Sequence, residues 1–362
     1  MPALVKRHLA RLVGPQEMGR GWPFWVGFLA VICAGAAAPE YLSRFDLLNF
    51  SNFLTSVFLG LSLCLIWGFC GILSLGQAAF LGLGGYAYGV AGINFVESEG
   101  NTWAALGIGL VFPVLVAALL GFIMFYGRLK GVYVAILMLV VTLLFETFLN
   151  QTAGQGWFIG DAHLGGNNGL GRFSGVIRRP PSLNFGIGEP GIDFIGKSRA
   201  FFYLTFGLLV VVYLGLRVLV NSRIGFVMVA VREDSERTEA LGYDIRLIQL
   251  CVFCLSALLA SISGILYVSW GRFITPDVFG VYNNILPVIW VAVSGRKSVT
   301  ATVIGTLVLV WLSQKLAIQG DYAFVVLGGI LVVAMMLWPE GVITGLAARG
   351  AALRARYLGL NR

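Results

Sequence analysis

Long stretches of apolar residues, most of them near 20 residues long, recur along the whole chain and are separated by short polar segments. About 20 apolar residues in a helix cross the hydrocarbon core of a bilayer, which is roughly 30 Å thick. The pattern therefore predicts an all-α fold, a polytopic transmembrane helical bundle of about ten spans with interrupted or re-entrant segments. The predicted spans are Trp22–Pro39, Phe53–Leu73, Ala78–Phe95, Trp103–Tyr126, Gly131–Gln151, Ala200–Val220, Ile248–Gly271, Asn283–Gly295, Val299–Ala317 and Tyr322–Trp338.

Composition agrees with a membrane protein. Apolar residues make up 58% of the chain and charged residues 12%, whereas an ordinary soluble domain has about 45–50% and 25%. The net charge of +8 is spread over many short connections, so no nucleic-acid partner is expected. The five cysteines all lie in apolar runs, and Cys251 and Cys254, which have CxxC spacing, are interpreted as small packing residues and not as a redox or metal pair. The segment Trp22–Ala38 follows a basic start, as in a signal peptide, but is interpreted as a retained first span.

The distribution of basic residues predicts which connections face the cytoplasm. With the N-terminus inside, inner segments hold 17 of the 25 Lys and Arg residues. This layout gives a cytoplasmic segment 1–21, a transmembrane domain 22–345 and a basic cytoplasmic tail 346–362. Within the transmembrane domain, 152–199 is predicted to be an outer loop and 221–247 a cytoplasmic loop. Both termini are therefore expected in the cytoplasm.

Two predicted spans carry helix-breaking residues. Gly68–Gly92 contains eight glycines, and Asn283–Gly295 is short and contains Pro287. Interrupted segments in the two halves of a transporter commonly line its pathway. Small residues also permit simple close packing of helices, and the sequence leaves both interpretations open.

The polar stretch Asn221–Ile248 lies between two apolar runs. Its middle, Val231–Gly242, is rich in helix formers, and Gly242 stands where a C-terminal cap would. A short helix at this place favours a docking element. The alternative is a solvated connection held by charge pairs such as Glu233 with Arg237.

Most catalytic chemistry is missing from the sequence. No P-loop is present, and His8 and His163 are the only histidines, so we expect a transport subunit and not an enzyme, with no metal and no cofactor. The string Gly186–Gly191 matches a dinucleotide motif by letters only, because no strand precedes it. Glu146 is an acid well inside an apolar run, which makes it a candidate functional residue. So few buried charges suit a neutral or zwitterionic solute.

Several ordered motifs resemble the permease subunits of ATP-binding-cassette importers for branched-chain amino acids, a family that also includes urea and short-amide importers. The resemblance extends from about Phe53 to Gly345. The motifs are WGFCGILSLGQAAFLGLGGYA, KGVYVAILMLVVTLLFE, GGNNGL, IGFVMVAVREDSERTEALGYD, FCLSALLASISGILY, ITPDVFG and VIWVAVSGR.

The resemblance implies that the chain is a subunit in the cytoplasmic (inner) membrane of a bacterium, within an assembly of several proteins. The implied partners are a second related permease, two ATPase subunits and an extracytoplasmic substrate-binding protein, all around a lipid bilayer. The cytoplasmic helix would fit a cleft in the ATPase. The residues implied in that coupling are Arg232, Glu233, Asp234, Glu239, Ala240, Leu241 and Gly242.

Two further residue sets follow from the interrupted spans and from the resemblance. The candidates for the translocation pathway are Gly71, Ser74, Gly76, Gln77, Glu146 and Pro287. The candidates for docking of the binding protein are Asn167, Asn168, Gly169, Pro276 and Asp277.

Branched-chain or other neutral amino acids are the favoured solutes. The motifs VIWVAVSGR and KGVY look closer to the urea branch, so urea or a short amide is the alternative with the same machinery. The alternative of a different class is an ATP-independent channel for small neutral solutes, which would tolerate changes at Glu239 or Gly242.

Overall fold

The computed structural model describes Leu12, Gly14, Gln16, Gly19 and then residues 21–154, 156–173, 176–186, 193–194, 198–317, 322–338, 341–346 and 349. Most of the predicted segments 1–21 and 346–362 therefore lies outside the described residues. In the described parts the chain forms twelve α-helices. They are α1 (Trp22–Tyr41), α2 (Arg44–Leu63), α3 (Gln77–Glu99), α4 (Trp103–Tyr126), α5 (Val132–Asn150), α6 (Arg199–Val220), α7 (Arg223–Glu233), α8 (Ser235–Ala240), α9 (Ile245–Gly271), α10 (Val281–Ser294), α11 (Val299–Ala317) and α12 (Tyr322–Leu337).

The predicted all-α bundle is confirmed. Eight of the described helices are long and apolar enough to cross a membrane by length and composition. The other two predicted spans correspond to α10 and α12, which have 14 and 16 residues. At 1.5 Å per residue α10 is about 21 Å long, which is less than the bilayer core. This length agrees with the interrupted or re-entrant character expected for Asn283–Gly295.

The predicted second span was misplaced at both of its ends. The helix α2 begins at Arg44, not Phe53, because the Ser43 hydroxyl accepts a hydrogen bond from the Asp46 N–H at 3.2 Å and caps the helix. It continues as a π-helix over Cys64–Phe69 and ends before Leu73. Gly71 adopts φ +79°, a left-handed conformation that stops the helix. The residues 71–76 are not helical and connect to α3.

Small residues bring α3, α4 and α9 into close contact at the centre of the bundle. A Cβ atom on Gly264 of α9 would overlap the carbonyl oxygen of Leu81 on α3. The Ser261 hydroxyl, also on α9, donates to the Gly109 carbonyl of α4 at 2.5 Å. Helices in membranes associate through such close packing, because lipid is as apolar as their side chains and the hydrophobic effect does not drive them together. On α3, a Cβ on Gly84 would overlap the Ser261 Oγ atom, so this glycine of Gly68–Gly92 serves helix packing.

The connections gather at two opposite ends of the bundle. We call the end with the connections 127–131, 221–244 and 295–298 the basic end, and the end with 151–198 and 272–280 the loop end. At the loop end, three two-stranded antiparallel hairpins lie in the long connection. They are β1 (Phe158–Ile159) with β2 (Ala162–His163), β3 (Arg172–Phe173) with β4 (Val176–Ile177), and β5 (Leu183–Asn184) with β6 (Asp193–Phe194).

A buried arginine joins the start of the described chain to α6 at the basic end. The Arg217 side chain is fully buried, and it donates to the carbonyls of Leu12 at 2.5 Å and Gly19 at 2.6 Å. It also donates to the Tyr213 hydroxyl at 2.9 Å and lies 4.5 Å from the ring centre of Phe24. Carbonyl oxygens and an aromatic face thus compensate the buried charge, since each is attracted to a cation.

We predict that Gly264→Ala lowers the thermal stability of the purified protein. The added methyl group would force α3 and α9 apart, and overpacking of a core typically costs about 1–3 kcal/mol. The matched control is Gly207→Ala in α6, where a Cβ would meet nothing within 4 Å. That substitution should leave stability unchanged or raise it by up to about 1 kcal/mol, because Ala favours helices over Gly. Equal melting temperatures for the two variants in detergent would contradict the close approach.

Candidate functional site

The polar stretch between α6 and α9 forms two helices at the basic end. A single helix was expected over Val231–Gly242, and this expectation is wrong because the chain turns at Asp234. The backbone of Asp234 is extended, with φ −153° and ψ 97°, and its carboxylate accepts a hydrogen bond from the Arg237 N–H at 2.9 Å. An aspartate in this geometry is a preferred N-cap, so it begins α8 and ends α7. The predicted stop at Gly242 is confirmed by its φ of +89°.

The break at Asp234 also changes the charge pairs. The pair of Glu233 with Arg237, which belonged to the alternative of a solvated connection, does not form, because the two residues lie on different helices. Glu233 instead pairs with Arg232 at 2.6 Å, and Arg237 pairs with Asp234 at 3.3 Å. Both pairs are therefore local, since one joins adjacent residues and the other joins residues three positions apart at the start of α8.

Arg232 connects the polar stretch to the interrupted helix. Its Nη1 atom donates a hydrogen bond to the Gly68 carbonyl, near the end of the π-helix. A Cβ on Gly71 would lie only 2.7 Å from the Arg232 Cγ atom, so the arginine stem covers the turn at Gly71. The structure thus places a predicted coupling residue against a predicted pathway residue, although the two are 161 positions apart in the sequence.

Protein groups satisfy the backbone where the helix is broken. The Ile72 N–H donates to the Ile66 carbonyl at 3.1 Å, and the Gly76 N–H donates to the Ser74 hydroxyl at 3.3 Å. Ser74 is buried, so its hydroxyl serves this turn and does not face an open passage in this conformation. Buried backbone groups need such partners, because no water reaches them.

Gln77, the first residue of α3, lies in a buried polar cluster. Its Oε1 atom accepts hydrogen bonds from the hydroxyls of Ser62 and Ser256, each at 3.2 Å. Its Nε2 atom has no hydrogen-bond partner among the described residues. The two serines were not predicted, and no feature of their apolar helices distinguished them in sequence.

The connection between α10 and α11 contacts the π-helix at the end of α2, where Arg232 also binds. A Cβ on Gly68 would overlap the Arg296 carbonyl, and the Cys64 thiol donates to that carbonyl at 3.4 Å.

The pKa of the Glu233 carboxyl is lowered, first by the hydrogen bond and charge of Arg232 and then by Lys297 and Arg296. The carboxylate is therefore ionised at neutral pH. Its stabilising contribution is lost only as pH falls through that lowered pKa.

A cavity of about 230 Å³ lies between α8 and the start of α5 at the basic end. Charges of both signs line it, among them Arg128, Lys130 and Glu239. Beyond it, the end of the polar stretch carries exposed apolar side chains, since Leu241 is 73% exposed and Tyr243 is 48% exposed. Exposed apolar side chains at the tip of a charged connection are typical of a protein contact surface.

The predicted pathway residues do not converge on one place. Val134 of α5 lines the cavity at the basic end together with Gly71. Glu146 lies twelve residues further along α5, about 18 Å away. There its Oε1 atom would be 3.5 Å from a Cβ on Gly280 at the loop end. Gly76 packs against Met138 of the same helix, and Pro287 is buried within α10.

The predicted docking segments lie side by side at the loop end. The Leu170 N–H donates to the Ile274 carbonyl at 3.0 Å, which joins the turn Gly166–Asn168 to the turn Pro276–Phe279. Gly169 packs against the Phe273 ring. Asn167, Asn168 and Asp277 are exposed, whereas Gly169 and Pro276 are buried supports. One surface thus unites two motifs that were separate in sequence.

Among the described residues, no group of three or more His, Cys, Asp or Glu side chains could hold a metal ion.

Comparisons with known proteins place the chain among transport subunits. The family model described as "Branched-chain amino acid transport system / permease component" matches residues 46–337. The high-affinity branched-chain amino acid transport system permease protein LivM of Escherichia coli (strain K12) is 27% identical over 336 residues, which cover 87% of this chain and 74% of the relative. LivM of Salmonella typhimurium (strain LT2) is 27% identical over 339 residues, with the same coverage. No solved structure matches the chain significantly.

We predict that Arg232→Ala loosens the interrupted helix and speeds chemical labelling of Cys70. Without the guanidinium, the Gly68 carbonyl loses the hydrogen bond from Arg232, and the Cγ atom nearest to Gly71 is removed as well. Cys70 is 2% exposed in the folded protein and should react slowly with a maleimide.

The matched control is Arg237→Ala, since that arginine side chain is 81% exposed and its ion pair is with Asp234. Labelling of Cys70, located by peptide mass spectrometry, should rise several-fold in the first variant only. An unchanged rate in Arg232→Ala would show that the arginine does not hold the break closed.

Proposed function

The chain belongs to the branched-chain amino acid transport system permease family, and from this premise we propose that it is the permease subunit of an ATP-driven importer. It is a multi-pass membrane protein of a transport family, not an enzyme family. Its proposed solutes are branched-chain or other neutral amino acids. One observation carries the proposal: an exposed tip on a polar connection is attached, through Arg232, to the break after α2.

The proposed orientation puts the basic end in the cytoplasm and the loop end outside. The basic end holds Arg128, Lys130 and Arg296, and the bias of short connections toward Lys and Arg favours the cytoplasmic side. The same orientation places both termini in the cytoplasm. The relatives LivM are permease proteins by name, and a bacterial inner membrane is the location that fits such a subunit.

Energy is proposed to come from separate ATPase subunits, because no P-loop occurs in this sequence. The residues Glu239–Gly242 form the tip that would enter the ATPase cleft, and all four are exposed. Arg232, Glu233 and Asp234 form the root of the connection, where α7 turns into α8. The tip would make the contact, and the root would transmit its displacement.

The root supports an alternating-access mechanism. Displacement of α7 would pull Arg232 away from the Gly68 carbonyl and from Gly71. The non-helical residues 71–76 would then be free to rearrange, since they lack the continuous ladder of a helix. Residues 71–76 would thus be an element with two arrangements. ATP binding in the partner would favour one arrangement through α7, and this would couple ATP binding to movement of the spans.

The loop end is proposed to receive an extracytoplasmic binding protein. The surface formed by Asn167, Asn168 and Asp277 is polar and exposed, supported from below by Gly169 and Pro276. A second, related permease is proposed to complete the membrane assembly. Long apolar faces of α4 and α5, including Leu115 at 62% exposure and Leu144 at 63%, are available to lipid or to that partner.

We predict that Leu241→Asp and Glu239→Lys each reduce ATP-driven uptake of labelled leucine by more than about tenfold, a change equal to 1.4 kcal/mol. A charge in the place of Leu241 would have to be buried in the ATPase contact, and the reversal at Glu239 would alter the charge of the tip. The measurement is uptake into cells that carry the whole transporter, with protein levels in the membrane checked by immunoblot.

The matched control is Glu40→Lys, a reversal of an exposed acid near the end of α1 at the loop end. Labelled urea is assayed in parallel. Uptake of urea but not leucine would keep the mechanism and change the solute. Flux that persists after ATP depletion in both tip variants would support a channel and overturn the importer proposal.

A further inference from the structure

A second, partly open cavity of about 330 Å³ lies between α2, α9, α10 and α11, and residues of α3 also line it. It is of the size at which ligand pockets begin, about 300 Å³. None of the predicted pathway residues lines it. The side chains used below are Asn52, Ser56, Asn283, Leu286, Trp290 and Val310.

The wall of this cavity is uncharged and has two characters. No described residue that lines it is Asp, Glu, Lys, Arg or His. The amides of Asn52 and Asn283 and the hydroxyl of Ser56 are polar, while Leu286 and Val310 are aliphatic. A solute with no net charge and with both a polar and an aliphatic part matches such a wall, because each part meets groups of its own kind.

One wall residue has a donor without an acceptor. Trp290 is 6% exposed, and its indole Nε1–H has no hydrogen-bond partner among the described residues. A buried donor normally finds a partner, because leaving it unpaired is unfavourable. An acceptor on a bound solute, such as a carboxylate or carbonyl oxygen, would supply the partner.

The cavity also lies between the loop end and the break after α2. At its outer side the Asn283 amide donates to the Asp277 carbonyl at 2.7 Å, in the turn that carries the proposed docking residues. At its inner side Ala78 lies directly after Gln77, where the non-helical residues end. At the other end of that segment, Gly71 and Ile72 line the cavity of the basic end.

We infer that this cavity is a solute-binding site within the permease, which takes a small solute without net charge and with a branched aliphatic side chain. The inference rests on the proposed function and adds the residues that hold the solute. Leu286 and Val310 contact the side chain, and the Trp290 N–H with the Asn52 and Asn283 amides holds the polar end. The non-helical residues 71–76 separate the site from the basic end.

The test changes the size of the cavity and measures which solute passes. Ser56→Leu adds volume to the wall, so it should reduce leucine uptake relative to valine uptake by about tenfold, the effect of one methylene group in a tight pocket. The double variant Ser56→Leu/Leu286→Ala restores space and should bring the ratio back. A merely structural role for Ser56 would not produce this compensation.

The matched control is Thr147→Leu on α5. Both hydroxyls bond to the carbonyl four residues earlier, Ser56 to Asn52 and Thr147 to Leu143, but Thr147 is exposed and outside the cavity. It should leave the leucine-to-valine ratio unchanged. ATPase activity stimulated by the loaded binding protein is measured for every variant in proteoliposomes with the complete transporter.

The outcomes separate the two proposals. If the wild type shows no ATP-dependent uptake of either amino acid, the proposed function fails. If the wild type transports both, and Ser56→Leu keeps the wild-type ratio with normal protein level, the solute site is refuted while the importer stands. A shifted ratio without rescue by the double variant would also refute it, because the effect would then not depend on cavity volume.

Discussion

Backbone groups inside an apolar bundle have no water to bind, so every break in a helix must be satisfied by the protein itself. The break after α2 meets this constraint through a hydrogen bond to a distant part of the chain, which restricts its movement. Its Gly68 carbonyl takes a hydrogen bond from Arg232, which belongs to the polar connection at the basic end. The polar connection is thereby part of the bundle. Any partner that moves it also acts on the break, and this is the physical basis of the proposed coupling.

The rest of the bundle divides into a rigid centre and a looser periphery. The centre is the contact of α3, α4 and α9, where Gly264 and Ser261 allow backbones to touch. Glycine contacts of this kind leave little room for sliding, so the centre should move as one body. The break at 71–76 lies at the edge of this centre, and the solute cavity lies beside it. Movement is therefore expected at the break and not within α3 or α9.

Several features followed from the chain alone because they depend on local chemistry. The apolar runs predicted the ten apolar helices found among the described residues, since length and hydropathy decide whether a segment suits a bilayer. Gly242 was predicted to stop a helix, since a left-handed residue there favours glycine. The start of α2 was missed because the Ser43 cap extends the helix through polar residues. The turn at Asp234 was missed because the residue types of Val231–Gly242 suit one continuous helix as well as two helices that meet at an N-cap.

The site shows the division most clearly. The sequence by itself determined the membrane class, the family resemblance and the residue types at the polar connection, because these are properties of composition and order. Only the tertiary structure decided that Arg232 meets Gly68, that Leu170 meets Ile274 and that the wall residue Trp290 lies in a cavity. Contacts between residues more than 100 positions apart depend on how helices pack against each other. That packing is set by small residues and hydrogen bonds whose partners no local pattern identifies.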